Sequence, residues 1–185
     1  MSDATALVLC GGDSTRLGTD KIAAALGGTT VLDHLLDALP PTWPVVAVGP
    51  ERPTHRAVRW TRESPAGGGP TAGVAAGLAL VETELVVVVA GDLPFAGPAA
   101  VGLVEALRRD PATDAVAAVD HSRPNPLLAA YRSARLRAVL PDPPGGRPAR
   151  ALLDLTHSLL AVPDETVLDV DTPEALAAAR HRLAT

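Results

Sequence analysis

The sequence LVLCGGDSTRLGTDK, residues 7–21, passes from an apolar run into a pair of glycines, a short polar segment and a lysine. The apolar run does not alternate with polar residues, which is typical of a strand buried on both faces. Glycines let the backbone approach a ligand closely, and successive N–H groups in such a loop can surround phosphate oxygens. Arg16 and Lys21 add the positive charge that a triphosphate requires. The stretch therefore predicts a phosphate-binding loop after a buried strand; the alternative is a plain turn in which the glycines only make the bend.

The spacing within this loop excludes two common nucleotide motifs. It lacks the Gly-Lys-Ser/Thr of a Walker loop and the three-glycine dinucleotide fingerprint, which argues against a dinucleotide-dependent oxidoreductase. Lys21 is also the single lysine among 16 basic residues. Where arginine stands at every other basic position, the one lysine is expected to do work that a planar guanidinium cannot do.

Short β-rich runs recur along the chain and alternate with helical patterns. The helical patterns cover residues 31–39, 71–81, 98–109 and 173–183, and the last two begin with proline. Strands that alternate with helices predict βαβ units and a mostly parallel sheet. We therefore expect an α/β protein with three layers, α/β/α, in one domain over residues 1–185. The predicted strands are residues 4–10, 45–48, 57–60, 85–91, 115–119, 127–131 and 167–170.

Ligands bind such sheets beyond the carboxyl ends of the strands, and three aspartates are expected there. Asp92 directly follows the apolar run at residues 85–91, and Asp169 and Asp171 lie ahead of the last helix. Mg²⁺ is commonly held by one or two carboxylates together with substrate phosphates, so Asp92 is a candidate metal ligand. Helix or turn capping is the alternative for Asp92, and for Asp171 or Thr172 before the last helix.

The glycine-rich segment PAGGGPTAG, residues 65–73, precedes a helix of very small residues. A planar group could lie against such a backbone, and the helix N-terminus favours a nearby anion. Close helix–sheet packing is the alternative for Gly73 and is the favoured interpretation for Gly77.

The composition of the chain limits the classes of partner and the cellular location that we expect. The net charge of −5 argues against a nucleic-acid partner, because phosphate backbones are held by clustered basic residues. The single cysteine rules out an intramolecular disulfide and fits a reducing, cytoplasmic location. The beginning of the sequence lacks the basic region of a signal peptide. The longest apolar run is far shorter than the roughly 20 residues of a membrane span, so no membrane association is expected.

Taken together, these motifs resemble those of the molybdenum cofactor guanylyltransferases. The first loop resembles the signature L-x-G-G-x-S-x-R-hydrophobe-G-x-D-K, which is specific for the wider nucleotidyltransferase superfamily. GGGPTAG, GDLPF, PNPLLAAYR and DVDTPEAL then occur in the order found in the guanylyltransferases, across nearly the whole chain. The resemblance implies a Rossmann-like nucleotidyltransferase fold and a Mg²⁺-dependent transfer of GMP from GTP to Mo-molybdopterin. It also implies transient contact with proteins that mature molybdoenzymes.

The resemblance assigns roles residue by residue. On the nucleotide side it implies that guanine and ribose lie against Leu9, Cys10 and Gly11, with Gly12 in the same turn and Ser64 after the third strand. Arg16, Lys21 and Asp92 are the implied catalytic residues, of which Lys21 would contact the nucleotide phosphates. The implied metal ligands are Asp92 and Asp171. The acceptor would be bordered by Arg16, Gly18, Gly69, Gly73, Asp169 and Asp171.

Several positions differ from the family pattern and keep other activities open. Cys10 replaces an alanine, no asparagine follows the second strand, and Ser64 replaces a common aspartate. Asp169 and Asp171 stand where the last motif of the family has asparagines. The alternatives are a nucleotidyltransferase that uses CTP or another nucleotide on a pterin or sugar-phosphate acceptor, and a nucleotide-binding protein without catalysis.

Overall fold

The computed structural model describes residues 4–11, 20–120 and 123–184, and its centre is a seven-stranded sheet. The strands lie in the order β5-β4-β1-β6-β8-β7-β9, and a short hairpin, β2–β3, lies apart from the sheet. Their bounds are β1 Ala4–Leu9, β2 Ala25–Leu26, β3 Thr29–Thr30, β4 Val45–Val48, β5 Arg59–Thr61, β6 Leu85–Ala90, β7 Ala115–Asp120, β8 Arg123–Arg132 and β9 His157–Ala161.

The sheet is mostly parallel, as the alternation of strands and helices predicted. Neighbouring strands run parallel except for β8, which is antiparallel to both β6 and β7. Only two residues separate β7 from β8 in the chain. A parallel pair needs a crossover of a dozen or more residues, so this pair has to be antiparallel.

Helices cover both faces of the sheet and make three layers. Alternate residues of β1 and β6 point to opposite faces, so Val8 and Val87 join one apolar cluster while Leu7 and Val88 join the other. The first cluster includes residues of α1 and α3, and the second includes residues of α2 and α4. The helix bounds are α1 Val31–Ala38, α2 Gly69–Leu78, α3 Gly97–Arg109, α4 Ser133–Val139 and α5 Pro173–Ala184. The α/β/α architecture expected from the sequence is confirmed.

The prediction of a last strand at residues 167–170 was wrong. That segment begins with the last residue of a 3₁₀ turn, Asp164–Val167, continues with Leu168 in an extended conformation, and pairs with no strand. The seventh strand is β9, which pairs in parallel with β7 at the edge of the sheet. Its residues are mostly exposed, so the segment HSLLA lacks the apolar signal of an internal strand. Elsewhere the elements differ at their ends: β5 begins two residues and ends one residue later than predicted, and α2 begins at Gly69, two residues earlier.

Among the described residues, no helix has the length and apolar character needed to cross a bilayer.

Candidate active site

A small pocket opens at the carboxyl ends of β1 and β6, beside the loop that follows β4. The chain leaves β1 toward β4 and β5 on one side and returns to β6 on the other, which makes this the switch point of the topology. Backbone hydrogen bonds join the strand ends: the Cys10 N–H donates to the Val48 carbonyl at 2.7 Å, and the Gly91 N–H donates to the Leu9 carbonyl at 2.9 Å. The pocket is lined by Leu9, Cys10, Gly11, Asp20, Lys21, Ile22, Arg52 and Asp92. Lys21, Asp92 and the implied nucleotide residues Leu9, Cys10 and Gly11 therefore come together.

Lys21 lies at the start of a 3₁₀ turn, Lys21–Ala23, and its ammonium connects two distant parts of the chain. The Nζ atom forms an ion pair with Asp92 Oδ2 and donates to Asp171 Oδ1 at 2.5 Å. Burial by itself would lower the pKa of Lys21, but the hydrogen bonds to Asp171 and Asp92 outweigh it and raise that pKa above its ordinary value. The raised pKa favours the charged form of Lys21 at neutral pH.

Among the described residues, three carboxylates cluster beside this ammonium, whereas the resemblance implied two metal ligands. Asp92, Asp169 and Asp171 each offer an oxygen, and the three oxygens lie within 4.8 Å of one another. The Val170 N–H donates to the Asp92 carbonyl at 3.0 Å, which holds the segment that carries the last two aspartates against the end of β6. Loss of hydration, together with the negative charges of Asp92 and Asp171, raises the pKa of Asp169 to about 7.

Capping of the last helix, the alternative interpretation for Asp171 or Thr172, is performed by Thr172. The Thr172 Oγ1 accepts a hydrogen bond from the Ala175 N–H at 3.2 Å, so Thr172 caps the N-terminus of α5. The carboxylate of Asp171 points instead to Lys21.

Arg52 and Asp20 are pocket residues that sequence reasoning missed. The Arg52 Nε donates to Asp20 Oδ2 at 2.6 Å, and its Nη1 donates to the carbonyls of Pro50 at 2.6 Å and Cys10 at 3.5 Å. Its guanidinium thus ties the loop after β4 to both Cys10 and Asp20, which flank residues 11–19, the glycine loop, in the sequence. The sequence signal for Arg52 is its position: it follows the predicted strand at residues 45–48, where the family pattern has an asparagine.

Cys10 is a buried wall of this pocket. Only 4 % of its surface is exposed, and burial raises the pKa of its thiol to about 12. The side chain therefore remains a neutral thiol at physiological pH and acts as a small apolar surface.

The other predicted site residues lie elsewhere or outside the described part of the chain. Ser64 and Gly69 are exposed in the segment between β5 and the first turn of α2 and do not line the pocket. Gly73 is buried: a Cβ built on it would be 3.4 Å from Leu9 and 3.7 Å from Val48. The same construction on Gly77 gives 2.8 Å to Val48, so its packing role is confirmed. Gly12, Arg16 and Gly18 lie outside the described residues.

The chemistry of the acidic cluster fits a magnesium ion. Mg²⁺ prefers hard oxygen ligands and usually takes one or two carboxylates along with substrate phosphates and water. Asp92 and Asp171 supply such oxygens beyond the end of β6, with Asp169 as a third donor. The arrangement suits a polyphosphate substrate, because Lys21 and Arg52 supply positive charge in the same pocket as the carboxylate of Asp92, which could hold a metal.

Comparison with known proteins agrees with this geometry. The chain matches the model of the MobA-like NTP transferase domain over residues 6–179. It is 33 % identical over 194 residues to a probable molybdenum cofactor guanylyltransferase of Nostoc sp., covering 96 % of this chain and 90 % of that protein. A protein of the same name from Natronomonas pharaonis is 28 % identical over 221 residues, covering 99 % and 100 %.

A solved structure shows the same fold. Molybdopterin-guanine dinucleotide biosynthesis protein A from Archaeoglobus fulgidus superimposes with a TM-score of 0.75 at 21 % identity, over 97 % of this chain and 98 % of that one. The family match spans nearly all of the described chain, including the strand ends that form the pocket. The chain therefore belongs to the family of MobA-like nucleotidyltransferases.

Proposed function

We propose that this protein transfers GMP from GTP to the terminal phosphate of Mo-molybdopterin, giving molybdopterin guanine dinucleotide and pyrophosphate. The observation that carries the proposal is the meeting of Lys21, Asp92 and Asp171 beyond the carboxyl end of β6, at the switch point of a MobA-like chain. The names of relatives that match nearly the whole chain supply the guanine and pterin parts of the proposal.

The reaction needs positioning and charge compensation more than a protein nucleophile. An oxygen of the acceptor phosphate attacks the α-phosphorus of GTP, the bond from that phosphorus to the bridging oxygen breaks, and the electron pair leaves with pyrophosphate. Lys21 would donate to the phosphate oxygens and offset charge that grows on the leaving group. Asp92 and Asp171 would hold Mg²⁺, which when bound neutralises phosphate charge and acts as a Lewis acid.

The remaining residues would shape the ends of the site. Leu9 and Cys10 would provide an apolar wall for the nucleoside, with the backbone of Gly11 alongside. Gly69 and Gly73 would border the pterin, with Arg16 and Gly18 facing the phosphates. We further propose that residues 1–185 act as one domain in the cytoplasm and hand the product to molybdoenzyme maturation proteins.

The test is pyrophosphate release by the purified chain with Mg²⁺ and Mo-molybdopterin, offered GTP, CTP or ATP in turn. We expect release with GTP and a loss of at least about a hundredfold in kcat/KM for Lys21→Ala and Asp92→Asn, the scale of losing an electrostatic contact to a transition state. Arg59→Ala is the control, because that side chain is more than half exposed and lies on β5, away from the pocket.

Each result decides between the activities left open by the sequence. Preference for CTP or ATP would keep the transferase and reassign its substrate. Binding of nucleotide without turnover would favour a non-catalytic homologue. Full turnover by Lys21→Ala with an unchanged KM would contradict the role given to the lysine.

A further inference from the structure

The position of Lys21 in the structure is at odds with a simple role as a phosphate ligand. Its ammonium forms ion pairs with the carboxylates of Asp92 and Asp171. The ammonium contacts one carboxylate oxygen of each residue, and these are the two residues proposed to hold the metal. We propose that Lys21 serves as a built-in counter-ion in this cation position, so that the metal binds tightly only after a nucleotide has drawn the ammonium away. This inference rests on the proposed function.

The charge balance of the cluster explains why the ammonium occupies this place. Three carboxylate oxygens within 4.8 Å of one another repel each other, and a cation among them relieves that repulsion. Lys21 is held there by ion pairs to residues that lie far apart in the sequence, and only 19 % of its side chain is exposed. A divalent cation on the same carboxylates would stand next to a like charge, which weakens its binding.

A nucleoside triphosphate changes the charge balance around the ammonium. It offers the ammonium several oxygens and more negative charge than two carboxylates, and the flexible four-carbon stem of lysine allows the amine to turn toward them. The carboxylates released in this way become available to the metal. Binding of the metal and of the nucleotide is then mutually favourable, and each strengthens the other by the same factor.

A lysine suits this role better than an arginine. An ammonium is a compact charge that can exchange one set of oxygen ligands for another, whereas a guanidinium prefers a fixed planar pairing with a carboxylate. This offers a physical reason for the single lysine in a chain with 15 arginines.

The experiment measures metal binding without turnover. Mn²⁺ is titrated into the nucleotide-free full chain and followed by electron paramagnetic resonance, for the unaltered protein, Lys21→Met and Arg52→Met. We expect Lys21→Met to bind Mn²⁺ about tenfold more tightly or better, as removal of an adjacent like charge predicts. Arg52→Met removes the same charge from the same pocket, but its guanidinium pairs with Asp20 rather than with Asp92, so a much smaller change is expected. Equal Mn²⁺ affinity in the unaltered chain and Lys21→Met would overturn the inference, as would an equal gain in both variants.

A second measurement needs no variant and covers the case in which Lys21→Met fails to fold. Labelling with ¹³Cε-lysine marks one side chain, because the sequence contains one lysine. Mg²⁺ alone should leave its resonance in place, while a non-hydrolysable GTP analogue should shift it. A shift produced by Mg²⁺ alone would overturn the inference.

Failure of this inference can be told apart from failure of the proposed function. If the unaltered chain turns over GTP but Lys21→Met binds Mn²⁺ with the same affinity, the counter-ion role is refuted and the proposed activity stands. Tighter Mn²⁺ binding by Lys21→Met in a chain that turns over no nucleotide would support the counter-ion role and refute the activity.

Discussion

Replacing Arg56 by alanine should destabilise the fold far more than replacing the exposed Arg59, because the Arg56 guanidinium holds the end of a helix. Arg56 Nη1 donates to the carbonyls of Leu36 at 2.9 Å and Leu39 at 3.3 Å. Its Nη2 donates to the carbonyl of Trp43 at 2.7 Å and, at 3.2 and 3.5 Å, to those of Pro40 and Pro41. These carbonyls belong to the last turn of α1 and to the segment that leads into β4.

The expected loss of unfolding free energy in Arg56→Ala follows from the two shortest hydrogen bonds of the guanidinium. The last turn of α1 contains no basic residue, so Arg56 supplies the positive charge that a helix C-terminus favours. A hydrogen bond to a charged group contributes about 1.5–3 kcal/mol, which puts the bonds to Leu36 and Trp43 at about 3–6 kcal/mol together. Water can reach part of this half-buried site in the variant, so we expect Arg56→Ala to lower the free energy of unfolding by about 3 kcal/mol. For a chain of this length that corresponds to a fall in Tm of about 6–12 °C.

Urea unfolding followed by far-ultraviolet circular dichroism measures the change, with Arg59→Ala as the matched control. Arg59 also donates to a carbonyl, that of Leu80 at 3.3 Å, but its side chain is 55 % exposed. We expect a change within about 0.5 kcal/mol for this exposed position. Equal stability of the two variants would refute the reasoning, because it would mean that the carbonyl cluster is satisfied equally well by water.

The remaining predictions concern helix packing, the buried thiol and the pocket arginine. Gly77→Ala should lower the free energy of unfolding by about 1–3 kcal/mol, because the new Cβ would meet Val48 at 2.8 Å. Gly73→Ala should preserve or raise that free energy, because its Cβ would make an ordinary contact with Leu9 in a helix that alanine favours. Thermal unfolding of the two variants measures the difference. At pH 8 the thiol of Cys10 should react with iodoacetamide about a thousandfold more slowly in the folded than in the unfolded chain, because the raised pKa leaves little thiolate; equal rates would contradict its burial. The same raised pKa contributes stability that is complete below about pH 9 and is lost as the pH rises toward about 12, and the dependence of urea midpoints on pH checks this sign. Arg52→Met should raise KM for the nucleotide by about tenfold with a smaller change in kcat, since it removes a contact that orders the pocket; an unchanged KM would exclude that role.

Much of the framework was predictable from the sequence because its signals are local. The unbroken apolar runs predicted β1, β4 and β6, and proline at the start of a periodic segment predicted α3 and α5. The rule that ligands bind at the carboxyl ends of parallel strands then led to the glycine loop and to Asp92. Each inference used residues within one element and its adjoining turn.

What the sequence by itself determined, then, is the α/β class, the positions of the internal strands β1, β4 and β6 along the chain, and the edge of the sheet where a ligand binds. Only the tertiary structure decided which charges meet there: Lys21 and Asp171 are 150 residues apart, and Arg52 is 32 residues from Asp20. It also decided that β9 completes the sheet, because an exposed edge strand takes its hydrogen bonds from a neighbour and needs no apolar pattern of its own. A short stretch of sequence is enough to predict which of its residues are buried. Charges from distant segments form ion pairs only after the backbone has folded and brought those segments together.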